Sequence, residues 1–89
     1  MSVDEQFQKA ADDIKNLKSR PTDEELLELY ALFKQATVGD INTERPGLFE
    51  LKAKAKWDAW NGKKGMPTEE AKLAYITRAK QLIETYGLN

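Results

Sequence analysis

An all-α fold, a small bundle of four helices, is what the order of residues in this chain predicts. Apolar side chains recur at three- and four-residue steps along most of its length. The periodic stretches are separated by proline, glycine and Asx-containing segments. No strand candidate is longer than a few residues, so helices have only one another to pack against.

In the first segment Phe7, Ala10, Ala11, Ile14 and Leu17 form one apolar stripe. Asp4 and Glu5 lie at its start, where the helix dipole favours negative charge, and Lys18 and Arg20 lie near its end. Pro21 then stops it. The second segment opens on a capping box, Thr22 with Glu25, whose side chains satisfy each other's free backbone N–H groups. Leu26, Leu27, Leu29, Tyr30, Leu32 and Phe33 make this helix apolar over more than half its circumference, so it needs cover on two sides. Its end is expected at Thr37–Gly39, with Gly39 as a natural C-cap.

Asp40 to Leu48 reads as a loop, because Asp40, Asn42, Pro46 and Gly47 are turn formers and Pro46 pushes Arg45 out of helical conformation. A short third helix is expected from Phe49 to Asn61, ending at Gly62, with Ala53, Trp57 and Trp60 as its core face. Lys54 and Asp58 read as a solvated pair. After the polar linker Gly62–Pro67, Thr68 is the expected N-cap of a fourth helix, with Glu69 and Glu70 in its first turn. Ala71, Ala74, Tyr75, Ile76, Ala79, Leu82, Ile83 and Tyr86 carry its apolar face, Leu73 lies on the flank, and Gly87 ends it.

Length and composition narrow the function. With 89 residues the chain is expected to be one domain, residues 1–89. It has no cysteine, which excludes disulfides and thiolate metal sites and fits a cytoplasmic setting. It has no histidine, the commonest metal ligand and the usual general base near neutral pH. The net charge is −1, so nothing global points to nucleic acid or an anionic membrane. Locally, residues 34–64 hold seven Lys/Arg against four Asp/Glu, a surplus of +3 that makes this the anion-attracting part. No apolar run is long enough to span a bilayer, and the N-terminus lacks the pattern of a signal peptide.

Tyr30, Phe33 and Lys34 stand at i, i+3 and i+4 and share one patch. By spacing alone that patch is either core rimmed by a lysine or the wall of a ligand groove. Lys52 and Lys56 share a face of the third helix, and Lys56 lies about 100° round from Trp57, at the edge of the core face. Rings beside ammonium groups suit a planar, polyphosphorylated ligand, although a lysine run is ordinarily a solvated face. Trp57 and Trp60 read as core. Tyr75, mid-way along the last helix, needs a hydrogen-bond partner for its hydroxyl if buried.

Catalytic signatures are missing. No phosphate-binding glycine loop or dinucleotide fingerprint occurs. The adjacent carboxylates Asp12/Asp13 and Glu24/Glu25 point apart on a helix and form no acid–base dyad. The only serines, Ser2 and Ser19, lack the Asp-Ser-Leu context of an acyl carrier protein.

Three runs are more specific: Lys34-Gln-Ala-Thr-Val-Gly-Asp, Asn42-Thr-Glu-Arg-Pro-Gly and Ala55-Lys-Trp-Asp-Ala-Trp-Asn. In this order they resemble the signature of the acyl-CoA-binding protein family, and the likeness extends from Phe7 to Gly87. The resemblance implies an up-down-down-up four-helix bundle that binds long-chain acyl-CoA thioesters one to one and is not an enzyme. It implies that Tyr30, Lys34 and Lys56 hold the 3′-phosphate of the CoA ribose and that Phe33 stacks on the adenine. Lys15 and Lys52 would lie near the remaining phosphates and head group, and Tyr75 would touch the ligand from the last helix. Leu26, Leu27 and the segment between Tyr30 and Lys34, that is Ala31, Leu32 and Phe33, would line the groove. Acyl-CoA is then a ligand; no cofactor or metal is expected. The partners would be acyl-CoA-using enzymes, with no nucleic acid, no stable membrane insertion and a monomeric state. The position of Phe33 is typically tyrosine in vertebrate members, so this chain keeps the ring without its hydroxyl. A rival expectation is a signalling protein, because vertebrate relatives also give rise to receptor-modulating peptides.

Overall fold

A computed structural model describes residues Met1–Asn89. Four helices form: α1 (Val3–Ile14), α2 (Asp23–Thr37), α3 (Leu51–Asn61) and α4 (Thr68–Tyr86). Cross-helix contacts fix their directions. Asp4 at the start of α1 meets Lys72 at the start of α4, at 2.7 Å, and Leu17 just past α1 pairs with Leu88 just past α4. These two helices therefore run parallel. Glu25 at the start of α2 bonds Tyr86 at the end of α4, while Gln35 near its end bonds the carbonyl of Met66 ahead of α4, so α2 is antiparallel to α4. Tyr30 of α2 faces Lys56 of α3, and Lys34, one turn on, faces Trp60, so α2 and α3 are parallel. The order is up-down-down-up, as the resemblance implied. The long connection between Thr37 and Leu51 is what lets two consecutive helices point the same way.

The core lies where α4 packs between α1 and α2. Ala71 and Ala79 are fully covered, and their small side chains let the neighbouring helices approach. Around them gather Phe7 and Ala10 of α1, Leu29, Leu32 and Ala36 of α2, and Tyr75, Ile76 and Leu82 of α4. Burying each of the larger apolar side chains contributes about 1.5–3 kcal/mol. α3 packs only against α2.

The Thr22–Glu25 capping box starts α2 as expected, and Gly39, at φ +96°, follows its C-cap Val38. A second box of the same spacing, Ser2 with Glu5, starts α1. Five expectations need correction. α1 ends at Ile14 rather than near Arg20, because Leu17 leaves the helical path to pair with Leu88 and the Lys18 N–H donates to the Gly87 carbonyl at 2.9 Å. α3 starts at Leu51, since Gly47 to Glu50 forms a turn instead. Pro67, not Thr68, occupies the N-cap of α4. The core face assigned to α3 holds only at Trp60: Ala53 is exposed, and half-buried Trp57 donates from Nε1 to the Thr43 carbonyl at 2.9 Å, pinning the loop. Asp58 likewise pairs with Arg45, two bonds of 3.0 Å, rather than with Lys54.

Candidate ligand-binding site

The parallel packing of α2 and α3 leaves a groove of about 440 Å³ between them. Leu26, Leu27 and Tyr30 wall it from α2, and Leu51, Lys52, Ala55 and Lys56 from α3, with Arg20 and Asp23 around the start of α2. Residues four apart on a helix share a face, so α3 presents two adjacent rows to the cleft, Leu51 with Ala55 and Lys52 with Lys56. Arg20 is paired with Asp23 at 2.8 Å, which leaves Lys52 and Lys56 as the unpaired cations of the lining. The two-sided cover that α2 requires is thus divided: Leu29 and Leu32 go to the core, and Leu26, Leu27 and Tyr30 go to the groove.

Two reciprocal contacts join the helices. The ammonium of Lys56 lies 5.4 Å from the ring centre of Tyr30, and that of Lys34 lies 4.9 Å from the ring centre of Trp60. Each helix thus rests a lysine on an aromatic face of the other, the two contacts one helical turn apart. The ring under Lys34 is fixed from behind, for Trp60 donates from Nε1 to the Gly39 carbonyl at 2.8 Å. The next residue, Asp40, accepts from the Gly65 N–H and from the Gln35 amide, both at 2.8 Å. These two hydrogen bonds hold its carboxyl below the ordinary aspartate range, the Gly65 bond contributing most. The bonds to Arg45 do the same for Asp58, further along α3.

On the other flank of α2 an aromatic cluster spans three helices. The Phe33 ring stacks on Phe7 at 5.6 Å, and Tyr75 meets Phe7 edge-on at 5.1 Å. Phe33 nevertheless stays exposed. Tyr75 is buried, and burial pushes its hydroxyl pKa up to about 12. Its ring lies behind that of Phe33, with 6.1 Å between the ring centres.

The structure therefore brings together Leu26, Leu27, Tyr30, Lys52 and Lys56 in the groove, with Lys34 and Phe33 one turn further along α2 and Tyr75 behind Phe33. Ala31 and Leu32, at 1% and 3% exposure, are buried and do not line this groove. Lys15 is exposed as the C-cap of α1 and does not line this groove. Unforeseen were Arg20, Asp23, Leu51 and Ala55 in the lining and Trp60 beneath Lys34. For Leu51 and Ala55 a signal existed, since they repeat at i, i+4 directly beside Lys52 and Lys56.

An apolar cleft with two unpaired ammonium groups along it fits an amphiphile with a hydrocarbon part and an anionic part. Residues 4–79 match the family model for acyl-CoA-binding protein. The chain is 59% identical, over 99% of both chains, to one from a Hypsibius species that carries the name acyl-CoA-binding protein. Acyl-CoA-binding protein 2 of Oryza sativa has a similar structure, with a TM-score of 0.90 and 46% identity over 94% of this chain and 93% of that one. The yeast acyl coenzyme A binding protein gives a TM-score of 0.73 and 47% identity over 91% and 94%. This chain belongs to the acyl-CoA-binding protein family.

Proposed function

We propose that the protein binds one long-chain acyl-CoA and serves as a monomeric, one-domain carrier and pool former in the cytoplasm, passing its ligand to acyl-CoA-using enzymes. The observation that carries this reading is the pair of reciprocal lysine–ring contacts beside an apolar groove. Lys34 and Lys56 come from different helices and would serve as two donors to a single phosphate, with the Tyr30 hydroxyl as a third. The exposed Phe33 ring offers a stacking surface for adenine. Lys52, and Lys15 from the end of α1, would meet the other phosphates, and the hydroxyl of Tyr75 would complete the contacts.

In this reading the acyl chain lies along Leu26, Leu27, Leu51 and Ala55 and gains up to about 0.8 kcal/mol per fully buried methylene. Phosphate contacts add charge-assisted bonds, which strengthen as water leaves. Neither half suffices alone. Calorimetric titration should give palmitoyl-CoA far tighter binding than acetyl-CoA, and free palmitate hardly any. Equal affinity for palmitate and palmitoyl-CoA would make the groove a plain fatty-acid site and refute the reading.

A further inference from the structure

The connection that follows α2 is tied down at two successive residues. The Gly39 N–H donates to the Lys34 carbonyl at 3.2 Å, and the Gly39 carbonyl accepts from the Trp60 indole at 2.8 Å. Gly39 stands at φ +96°, and a glycine has wide backbone freedom, so its neighbours must decide where that carbonyl points. Asp40 supplies the anchor. Its Oδ1 accepts from the Gly65 N–H and from the Gln35 amide, each at 2.8 Å. Gln35 is buried, and its Nε2 also donates to the Met66 carbonyl at 2.8 Å. One carboxylate oxygen thus joins the end of α2 to the linker ahead of α4. Asp40 is itself exposed and fills no place in the core.

We infer that Asp40 is a positioning residue for anion recognition, acting through Gly39 and Trp60 on Lys34. The anchored carbonyl orients the indole, and the Lys34 ammonium rests 4.9 Å from the centre of that ring. A long, flexible cation held in place beforehand loses less freedom when a phosphate arrives. This role rests on the binding function above, in which Lys34 meets the 3′-phosphate. Charge and position pull in opposite directions at Asp40. A carboxylate near an anion site repels the ligand, so by Coulomb's law alone its removal should tighten binding. Loss of an anchor should weaken it.

Calorimetric titration with palmitoyl-CoA compares wild type, Asp40→Ala, Asp40→Asn, Asp40→Glu, Lys34→Ala and the double variant Lys34→Ala with Asp40→Ala. Asp40→Ala should bind about tenfold more weakly than wild type, toward the low end of the loss from removing Lys34 itself. Asp40→Asn, whose amide oxygen can accept the same two bonds, should stay within about twofold of wild type. Asp40→Glu keeps the charge, displaces the acceptor, and should fall between Asp40→Asn and Asp40→Ala. In the Lys34→Ala background, Asp40→Ala should change affinity by less than about twofold, because the anchor then has no lysine to place. In proton NMR of the ligand-free protein, the Trp60 ring should shift the Lys34 ε-methylene signals upfield in wild type and Asp40→Asn, and the shift should shrink in Asp40→Ala and Asp40→Glu. Unchanged or tighter palmitoyl-CoA binding by Asp40→Ala overturns the inference. So does a loss in Asp40→Asn as large as in Asp40→Ala, or an undiminished loss in the Lys34→Ala background. Wild-type affinity in Lys34→Ala would refute the phosphate role of that lysine instead, and the methylene shifts would still decide whether Asp40 holds it in place.

Discussion

Lys56→Ala removes one of the two cations resting on the ring of the opposite helix, and its effects on folding and on binding separate by size. In the free protein the ammonium makes one cation–π contact, 5.4 Å from Tyr30, and no ion pair, so folding should lose about 0.5–1 kcal/mol at most. Against a phosphate the same ammonium gives a charge-assisted hydrogen bond worth about 1.5–3 kcal/mol. Binding of palmitoyl-CoA should therefore weaken by about ten- to 150-fold. Lys34→Ala should behave alike, since Lys34 is placed the same way over Trp60. The assay is calorimetric titration of each variant with palmitoyl-CoA and with the dephospho form that lacks the 3′-phosphate, alongside urea unfolding. Wild type should bind the dephospho ligand poorly, and either substitution should then change little. Lys54→Ala, outside the groove lining, is the control. If both variants lost as much affinity for the dephospho ligand as for the intact one, the argument from paired lysines to one phosphate would be refuted.

Gly87 sits at φ +78° and ψ 157°, a conformation that L side chains avoid, so strain there comes from the backbone, an added Cβ making only ordinary contact with the Lys18 side chain. Gly87→Ala should cost about 1–3 kcal/mol in urea unfolding, and an unchanged midpoint would contradict this. Glu25, Asp40 and Asp58 all have carboxyl pKa values held down in the folded state, chiefly by the Tyr86 hydroxyl, the Gly65 N–H and Arg45 respectively. Their stabilisation is present above the ordinary carboxylate range and is lost as pH falls through the lowered values, so melting temperature should drop below about pH 4, and less so in Asp40→Asn. Saturating ligand should raise the melting temperature, by the equivalent of about 2.7 kcal/mol at a free concentration one hundred times Kd.

Local signals make α2 legible: a capping box at one end, a glycine at the other, and an apolar surplus that calls for two covers. The same features put Tyr30 and Lys34 on one face, which in the fold looks toward α3. Ala31 and Leu32 escape such reasoning because a run of adjacent residues circles the helix, and only the direction of α4 decides which of them face inward. The end of α1 is hidden because Leu17 keeps the helical period while its partner, Leu88, is remote in sequence. α3 is the hardest to read. With one neighbour it has no broad buried stripe, and Trp57, which looks like core, serves the loop through Thr43.

That single neighbour has a dynamic consequence. α1, α2 and α4 are wedged into a common core, whereas α3 is moored to the rest of the protein through α2 and the connections at its two ends. It should behave as a door hung along one edge, with the lowest free energy of local opening among the helices, so its backbone amides should exchange with solvent first. The width of the cleft is then a fluctuating quantity rather than a fixed dimension. A guest that grips both leaves would latch the door, and slowed amide exchange confined to Leu51–Asn61 would record the latch closing.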